Sequence, residues 1–310
     1  MIAKGGSTHL EFALIKRIAI VKLIIIEKWR KIMKKQISGQ KLNLKDIQEI
    51  SYGILKEFKY FCDSNGLKYY LAYGTLIGAI RHNGFIPWDD DIDVFMPRPD
   101  YEKLLKLYKD NANYQLYSPR KQRDYYCCYM KLVDANTYHL MPDGSVCSRG
   151  VDIDIFALDG QPSDFSIAKA NFEKVFKKYE NFSLRMIRYR YDAKGGAANV
   201  FKRMLAKVLI SSGIIAKLSA YFDEQYSYYN YDMATCVAPS NANMSEPFGV
   251  WSKSLFEPCI QVKFEKEEFS VPIGYDEILS SYYGDYMKLP SEDKRISTHS
   301  EEYFRKNIVK

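Results

Sequence analysis

Apolar and polar residues recur along this chain with two different periods, and the change of period marks its elements. From Asn43 to Gly66, "NLKDIQEISYGILKEFKYFCDSNG" places apolar residues every three or four positions, the spacing of an amphipathic helix. Asn43 can cap its start and Asn65-Gly66 closes it. "KYYLAYGT" then reads as a strand ending in a glycine turn, and "LIGAIRH" as a short helix with Thr75 near its N-terminus. "IDVFM" and "GVDIDIF" are strands in which side chains alternate between faces. Between them, "PRPDYEKLLKLYKD" predicts a helix with Asp100 as its cap. Residues 163–230 read as mostly helical, broken at Gly195-Gly196, and "CIQVKFEKEEFSVP" returns to a β pattern. The end, "YDEILSSYYGDYMKLPSEDKRISTHS", predicts a helix running into a polar tail. Helices precede and follow strands, so the expected class is α+β.

Ahead of this body, "HLEFALIKRIAIVKLIIIEKWRKIMKK" sorts as a basic amphipathic helix, and the chain divides on this reading into residues 1–38 and a body of 39–310. Leu14, Ile18, Val21, Ile25, Trp29 and Ile32 share one face. Its longest apolar runs are four residues, far short of the roughly 20 that span a bilayer. It has no small-residue cleavage site. The expectation is peripheral contact with a membrane surface through residues 10–35. The alternatives are packing on the domain or a partner chain, and a translation start at Met33.

The formal charge of +7 belongs to this segment alone: residues 1–35 carry nine basic and two acidic side chains, and the remaining 275 carry 36 of each. A neutral body argues against a nucleic-acid-binding protein. The six cysteines form no C-x-x-C pair and read as reduced thiols of a cytoplasmic protein.

The candidate chemistry lies in "GFIPWDDDIDVFM". On the strand, Asp91 and Asp93 point one way with Phe95, while Ile92 and Val94 point into the core. The strand from Gly150 repeats the pattern, with Asp152 and Asp154 on one face. Paired side by side, these strands bring three or four carboxylates together, a costly arrangement near a core unless a hard divalent cation, Mg²⁺ or Mn²⁺, neutralises them. Gly74-Thr75, at a helix start, can let a phosphate approach backbone N–H groups. Such a cradle beside metal-binding acids suits phosphoryl or nucleotidyl transfer. Arg81 and Lys131 are candidate cations for a diphosphate, and Trp88 a candidate lid or stacking surface. An EF-hand is excluded, because counting from Asp89 the sixth position is Val94 and the twelfth Asp100. The D-x-D of a sugar-nucleotide glycosyltransferase is the rival enzyme. A non-catalytic glycan-binding protein attached to the membrane is the rival of another class.

"YYLAYGTLIGAIRHNGFIPWDDDIDVFMPRPDYEKLL" resembles the signature of the LicD-type phosphotransferases, bacterial relatives of fukutin and fukutin-related protein. "VDIDIFALDG", "KFEKEEFSVPIGYDEIL" and "YGDYMKLPSEDKR" continue the resemblance in order, from about residue 40 to 300. It implies a nucleotidyltransferase-like mixed sheet flanked by helices. It further implies transfer of a phospho-alcohol, phosphocholine as the leading case, from a CDP-activated donor such as CDP-choline to a hydroxyl of a cell-surface glycan or glycolipid, with release of CMP. Lipopolysaccharide, teichoic acid and capsule are the acceptors it suggests, and a cytoplasmic protein peripheral on the inner membrane face is the setting expected. Gly74 and Thr75 match the glycine-turn motif, Asp91 and Asp93 the metal pair, and Asp154 the third acidic position. Asp152 is an extra acid, so either it or Asp154 can complete the site. His299, near the tail, resembles a position where the family often has histidine, and Asp285, with Tyr283 and Tyr286, stands in the "YGDYM" block.

Overall fold

A computed structural model describes residues 39–141, 146, 147, 149–186, 188, 197–240, 249–297 and 302–307. The predicted N-terminal helix, the Met33 start and His299 lie outside the described residues. Residues 42–304 form one compact unit, and the two chain ends, 1–41 with 305–310, belong to a second. The account below concerns the first.

Helix α1 (Leu44–Asn65) begins where Asn43 and Asp46 cap each other reciprocally and ends at Gly66, which takes the left-handed conformation at φ 61°. Its buried face, Ile47, Ser51, Ile54, Leu55, Phe58 and Cys62, follows the helical period. Each large apolar side chain so buried contributes roughly 1.5–3 kcal/mol. Strand β1 (Tyr70–Leu71) is shorter than its apolar pattern predicts. Tyr73, at φ 45°, turns the chain into α2 (Tyr73–Ile77), which continues as one π-helical stretch over Gly78–His82. Gly74 therefore sits inside the first helical turn, not in a turn ahead of it.

Strand β2 (Asp93–Pro97) runs directly into α3 (Arg98–Leu107). Proline near the start of α3 fixes the backbone for helix, so the helix begins two residues before the predicted cap. Asp100 lies in the first turn instead, buried and accepting from the backbone N–H of Lys68 at 3.3 Å. Next come β3 (Tyr114–Tyr117), β4 (Met130–Asp134), β5 (Thr137–Leu140), β6 (Val146–Cys147) and β7 (Asp152–Gln161). Helices α4 (Phe165–Tyr179), α5 (Ala197–Ser211) and α6 (Ile214–Tyr226) follow. Then come β8 (Cys236–Pro239), β9 (Trp251–Ser252), the hairpin of β10 (Cys259–Phe264) with β11 (Glu267–Pro272), and α7 (Tyr275–Tyr283). The predicted polar tail contains an extended segment, Glu302–Lys306.

Strand β7 is the centre of a seven-stranded mixed sheet. On one edge it pairs in parallel with β2, from Asp93↔Asp154 to Pro97↔Leu158. On the other its first half pairs antiparallel with β4 and its second half with β8. Both faces are covered. Ile92, Val94, Met96, Ile153, Ile155 and Ala157 pack into the core that includes α1 and Phe264, Phe269 and Val271 of the hairpin. Phe95, Phe156 and Leu158 pack on the other side with Val237, Trp251, Phe256 and Ile278. Burial on both faces removes the alternation beyond Phe156, which is why the sequence predicts a strand shorter than the one observed.

At the far end of β2 the charges are matched. Arg98 holds Asp159 through two bonds of 2.6 and 2.8 Å and Asp223 at 2.8 Å. Arg120 reaches Asp223 at 2.7 Å and Glu102 at 2.7 and 2.8 Å. Removing one partner from such a buried network costs about 3–5 kcal/mol.

Candidate active site

The near end of the same strand pair is different. The register sets Asp93, Asp154 and Lys131 in one row across β2, β7 and β4. Lys131 Nζ lies 2.5 Å from Asp154 Oδ1 and 2.8 Å from Asp152 Oδ1. Burial works against the Lys131 ammonium, but Asp152 and Asp154 outweigh it and hold it protonated. Lys131 is thus the cation that the sequence offered for a diphosphate, and here it stands against two carboxylates.

Asp93 has less relief. Burial, then Asp91, Asp154 and Asp89, push its carboxyl well above the usual range, and Lys131 only partly opposes this. Asp154 is raised to about 7, again by burial first, with Lys131 pulling down and Asp152 and Asp91 pushing up.

The segment before β2 supplies the remaining acids. Carboxylate oxygens of Asp89, Asp90 and Asp91 lie within 4.8 Å of one another. The segment is fixed by a turn from Ile86 O to Asp89 N at 2.9 Å, and by Gln48 of α1, which donates to Asp89 O at 2.8 Å. Gly74 sits against it: a Cβ at this position would stand 2.7 Å from Asp89 Oδ2. Thr75 is buried, and its Oγ1 accepts from Asp93 N at 2.9 Å, so its hydroxyl fixes the first residue of β2. Gly74 and Thr75 thus both border the acids.

Asp90, Asp91, Lys131, Asp152 and Asp154 line one cleft of about 110 Å³, together with Ile47, Ile92, Val151 and Tyr303. Tyr303 is the residue that sequence reasoning missed most plainly. The apolar pair in "EYFRK" was its only signal, and a polar stretch preceded it.

Two of the expected residues are engaged differently. Arg81 donates through Nη1 to Tyr286 O and through Nε to His82 Nε2 at 2.9 Å, tying the helical segment Gly78–His82 to the turn after α7. The Trp88 indole is half-buried, with the His82 ring edge-on at 6.4 Å and Arg295 Cζ 5.9 Å above it. From the "YGDYM" block, Tyr286 is buried and donates to Asp276 at 2.6 Å, while Asp285 is exposed. Tyr283 is 45% exposed as a whole residue, yet desolvation around its hydroxyl, then Asp93 and Tyr282, raise its phenol above the ordinary value.

The donor set is suited to a divalent cation. It is made of carboxylate oxygens, which hard cations prefer. Three of these residues already converge, and Asp93 is held in a repulsive state that a cation would relieve.

Residues 66–189 match the family described as LicD/FKTN/FKRP, nucleotidyltransferase domain. The lipopolysaccharide cholinephosphotransferase LicD of Haemophilus influenzae is 31% identical over 277 residues, 86% of this chain and 99% of that protein. An uncharacterized protein of Rickettsia typhi is 26% identical over 124 residues, 39% of each chain. Mannosyltransferase regulator 4 of Saccharomyces cerevisiae is 27% identical over 103 residues, 33% of this chain and 8% of that protein. Together, the α+β fold with its acidic strand ends, the matched nucleotidyltransferase domain and a relative aligned along almost its whole length show that this chain belongs to the LicD family.

Proposed function

We propose that the protein transfers a phospho-alcohol group, phosphocholine as the leading case, from a CDP-activated donor to a hydroxyl of a cell-surface glycan, releasing CMP. The observation that carries the reading is the row Asp93, Asp154, Lys131, of which Asp154 and Lys131 line one cleft together with Asp91. The choice of head group is supported by the printed activity of the Haemophilus influenzae relative, a lipopolysaccharide cholinephosphotransferase.

On this reading Asp91 and Asp93 hold Mg²⁺, with Asp89 or Asp154 as a further oxygen donor. When bound, the ion neutralises the donor diphosphate and polarises the phosphorus under attack. Asp154, which lines the cleft beside Asp91 and Lys131, takes the proton of the acceptor hydroxyl. The acceptor oxygen forms its bond to the phosphorus of the choline phosphate while the bond to the CMP oxygen breaks. Lys131 keeps Asp152 and Asp154 in place and moderates their charge. Trp88 offers an aromatic surface for the base or the quaternary ammonium.

Calorimetric binding of CDP-choline, CDP-ribitol and UDP-glucose, with and without Mg²⁺, tests this, followed by a transfer assay on lipopolysaccharide. Metal-dependent binding of a CDP-alcohol that is lost in Asp91→Ala is the expected result. Binding of UDP-glucose alone would replace the reading with a glycosyltransferase.

A further inference from the structure

The helical hairpin of α5 and α6 turns apolar side chains outward. On α5, Ala206 and Ile210 face inward, whereas Met204, Leu205 and Val208 are 64%, 44% and 60% exposed. Ile214, at the start of α6, is 42% exposed, and Tyr221 is 48% exposed. The outer face of a helix packed on a water-facing domain is ordinarily polar. Here Met204, Leu205 and Val208 form a stripe along that face, with Lys207 on one flank and Lys202 on the other.

The charge pattern of the hairpin is equally one-sided. Residues 197–222 contain Lys202, Arg203, Lys207 and Lys217 and not one Asp or Glu. Of the two acids that follow in α6, Asp223 is buried against Arg98 and Arg120 and Glu224 is exposed, so the hairpin carries four basic side chains against one exposed acid.

Length decides how such a hairpin can meet lipid. No single helix among the described residues is long and apolar enough to cross a membrane. The segments Lys202–Ser211 and Ile214–Tyr226 satisfy the requirement only as a pair, and they are bent by 68° at their junction. At 1.5 Å per residue each arm reaches about 15–20 Å, against a hydrocarbon core of about 30 Å. An apolar stripe flanked by lysines on arms this short suits the plane of the headgroup layer, with lysine stems reaching up to phosphate. We propose that the α5–α6 hairpin is a docking surface for a bilayer that carries anionic headgroups, inserting Met204, Leu205 and Val208 between the headgroups.

The hairpin is fastened to the loop that precedes the strand bearing Lys131. Arg123 donates through Nε to Ser212 O at 3.0 Å and packs over Gly213, where φ is 81° and a Cβ would meet Arg123 Cγ at 2.6 Å. Ser219 Oγ donates to Tyr126 O at 2.6 Å. The loop so held leads directly into β4, so the docking surface is tied to the cleft. The inference does not depend on the reaction proposed for that cleft.

The test is sedimentation of the full-length protein with vesicles of phosphatidylcholine, alone and mixed with equal parts of phosphatidylglycerol. Three paired variants accompany it: Met204→Ser with Val208→Ser, Lys202→Gln with Lys207→Gln, and Ile18→Gln with Ile25→Gln. The wild type is expected to favour the anionic vesicles by about tenfold or more, and each hairpin pair to lose about tenfold. A Val208→Trp protein is expected to gain fluorescence that bromine-labelled acyl chains quench. In the two hairpin pairs and in Val208→Trp the changed side chains are exposed, so unaltered melting is expected of these. Full vesicle binding by both hairpin pairs overturns the proposal, as does loss confined to the Ile18 and Ile25 pair. So does a wild-type dimer that the Met204 and Val208 pair dissociates and that ignores vesicles, since the face would then cover a second copy.

Discussion

Asp93 and Asp154 are register partners on adjacent parallel strands, so the backbone ladder itself sets two half-buried carboxylates side by side. Without a ligand, this pairing costs stability. Asp93→Asn is expected to raise the stability of the chelator-treated protein by about 1 kcal/mol while abolishing transfer. Urea unfolding in chelator, beside a transfer assay, checks both halves. Destabilisation together with retained activity would remove Asp93 from the site.

Burial of Asp154, with the charge of its neighbours, fixes the sign of a pH dependence. Asp154 titrates at about 7 in the folded chain, against about 3.9 when unfolded. Between these values the folded state keeps a proton that the unfolded state has released. The contribution of Asp154 to ligand-free stability is therefore full below about pH 4 and is lost as pH rises through 7, at up to about 1.4 kcal/mol per pH unit. Asp159, raised to about 6 by burial against the pull of Arg98, adds to the same slope. Asp154→Asn is expected to flatten the slope without reversing it, and unfolding curves across that range check this.

Lys131 compensates two acids at once, so its loss is expected to be felt twice. Lys131→Met leaves Asp152 and Asp154 facing each other and should cost about 3 kcal/mol at neutral pH, with less lost at pH 5. Lys131→Arg should recover most of the stability. An equal loss at both pH values would mean that the stem of Lys131 matters more than its charge.

Gly74→Ala tests the close approach to the acidic segment. The added Cβ meets Asp89 Oδ2 at 2.7 Å and must displace it. Metal-dependent nucleotide binding is expected to fall at least about tenfold, with melting near that of the wild type, because the strain falls on a half-buried side chain. Calorimetry and thermal melting separate the two.

Arg81 is expected to act on architecture. Its bond to Tyr286 O holds the turn after α7. Arg81→Gln should raise hydrogen exchange across residues 284–288 and leave the affinity for a CDP-alcohol within about twofold. A large affinity loss with unchanged exchange would return Arg81 to the donor phosphates.

The acids of the candidate site are legible at Asp93, Asp152 and Asp154 because period-two alternation says which side chains share a face, whereas Asp91 lies ahead of β2 and is placed by the segment before it. The pairing of β2 with β7 could be proposed but its register could not. That register depends on long-range packing, and it is what joins Asp93 to Asp154 and Lys131. Thr75 was legible as a residue near the acids, while its bond to Asp93 N was not. Arg81 reads in the sequence as a candidate cation for phosphate, and its distant partner, Tyr286, comes into view only in the fold. Tyr303 lies far along the chain from everything it borders, and local pattern carries no information about such a return. The caps of α1 are legible at Asn43 and Gly66 because each acts within a few residues of itself, while the reciprocal bond from Asp46 is seen only in the structure.

Arg98 follows β2 directly, and its bonds to Asp159 form just where the parallel ladder with β7 ends. A slip of one residue between these strands would part Arg98 from Asp159 and turn the alternating side chains of β2 to the wrong face. The fold therefore carries a proofreading contact: a mispaired sheet leaves a guanidinium and a carboxylate stranded in the interior, and that misfolded population is penalised before any ligand arrives. Fidelity of assembly at one end of the strand is what delivers the acids of the candidate site to their places at the other.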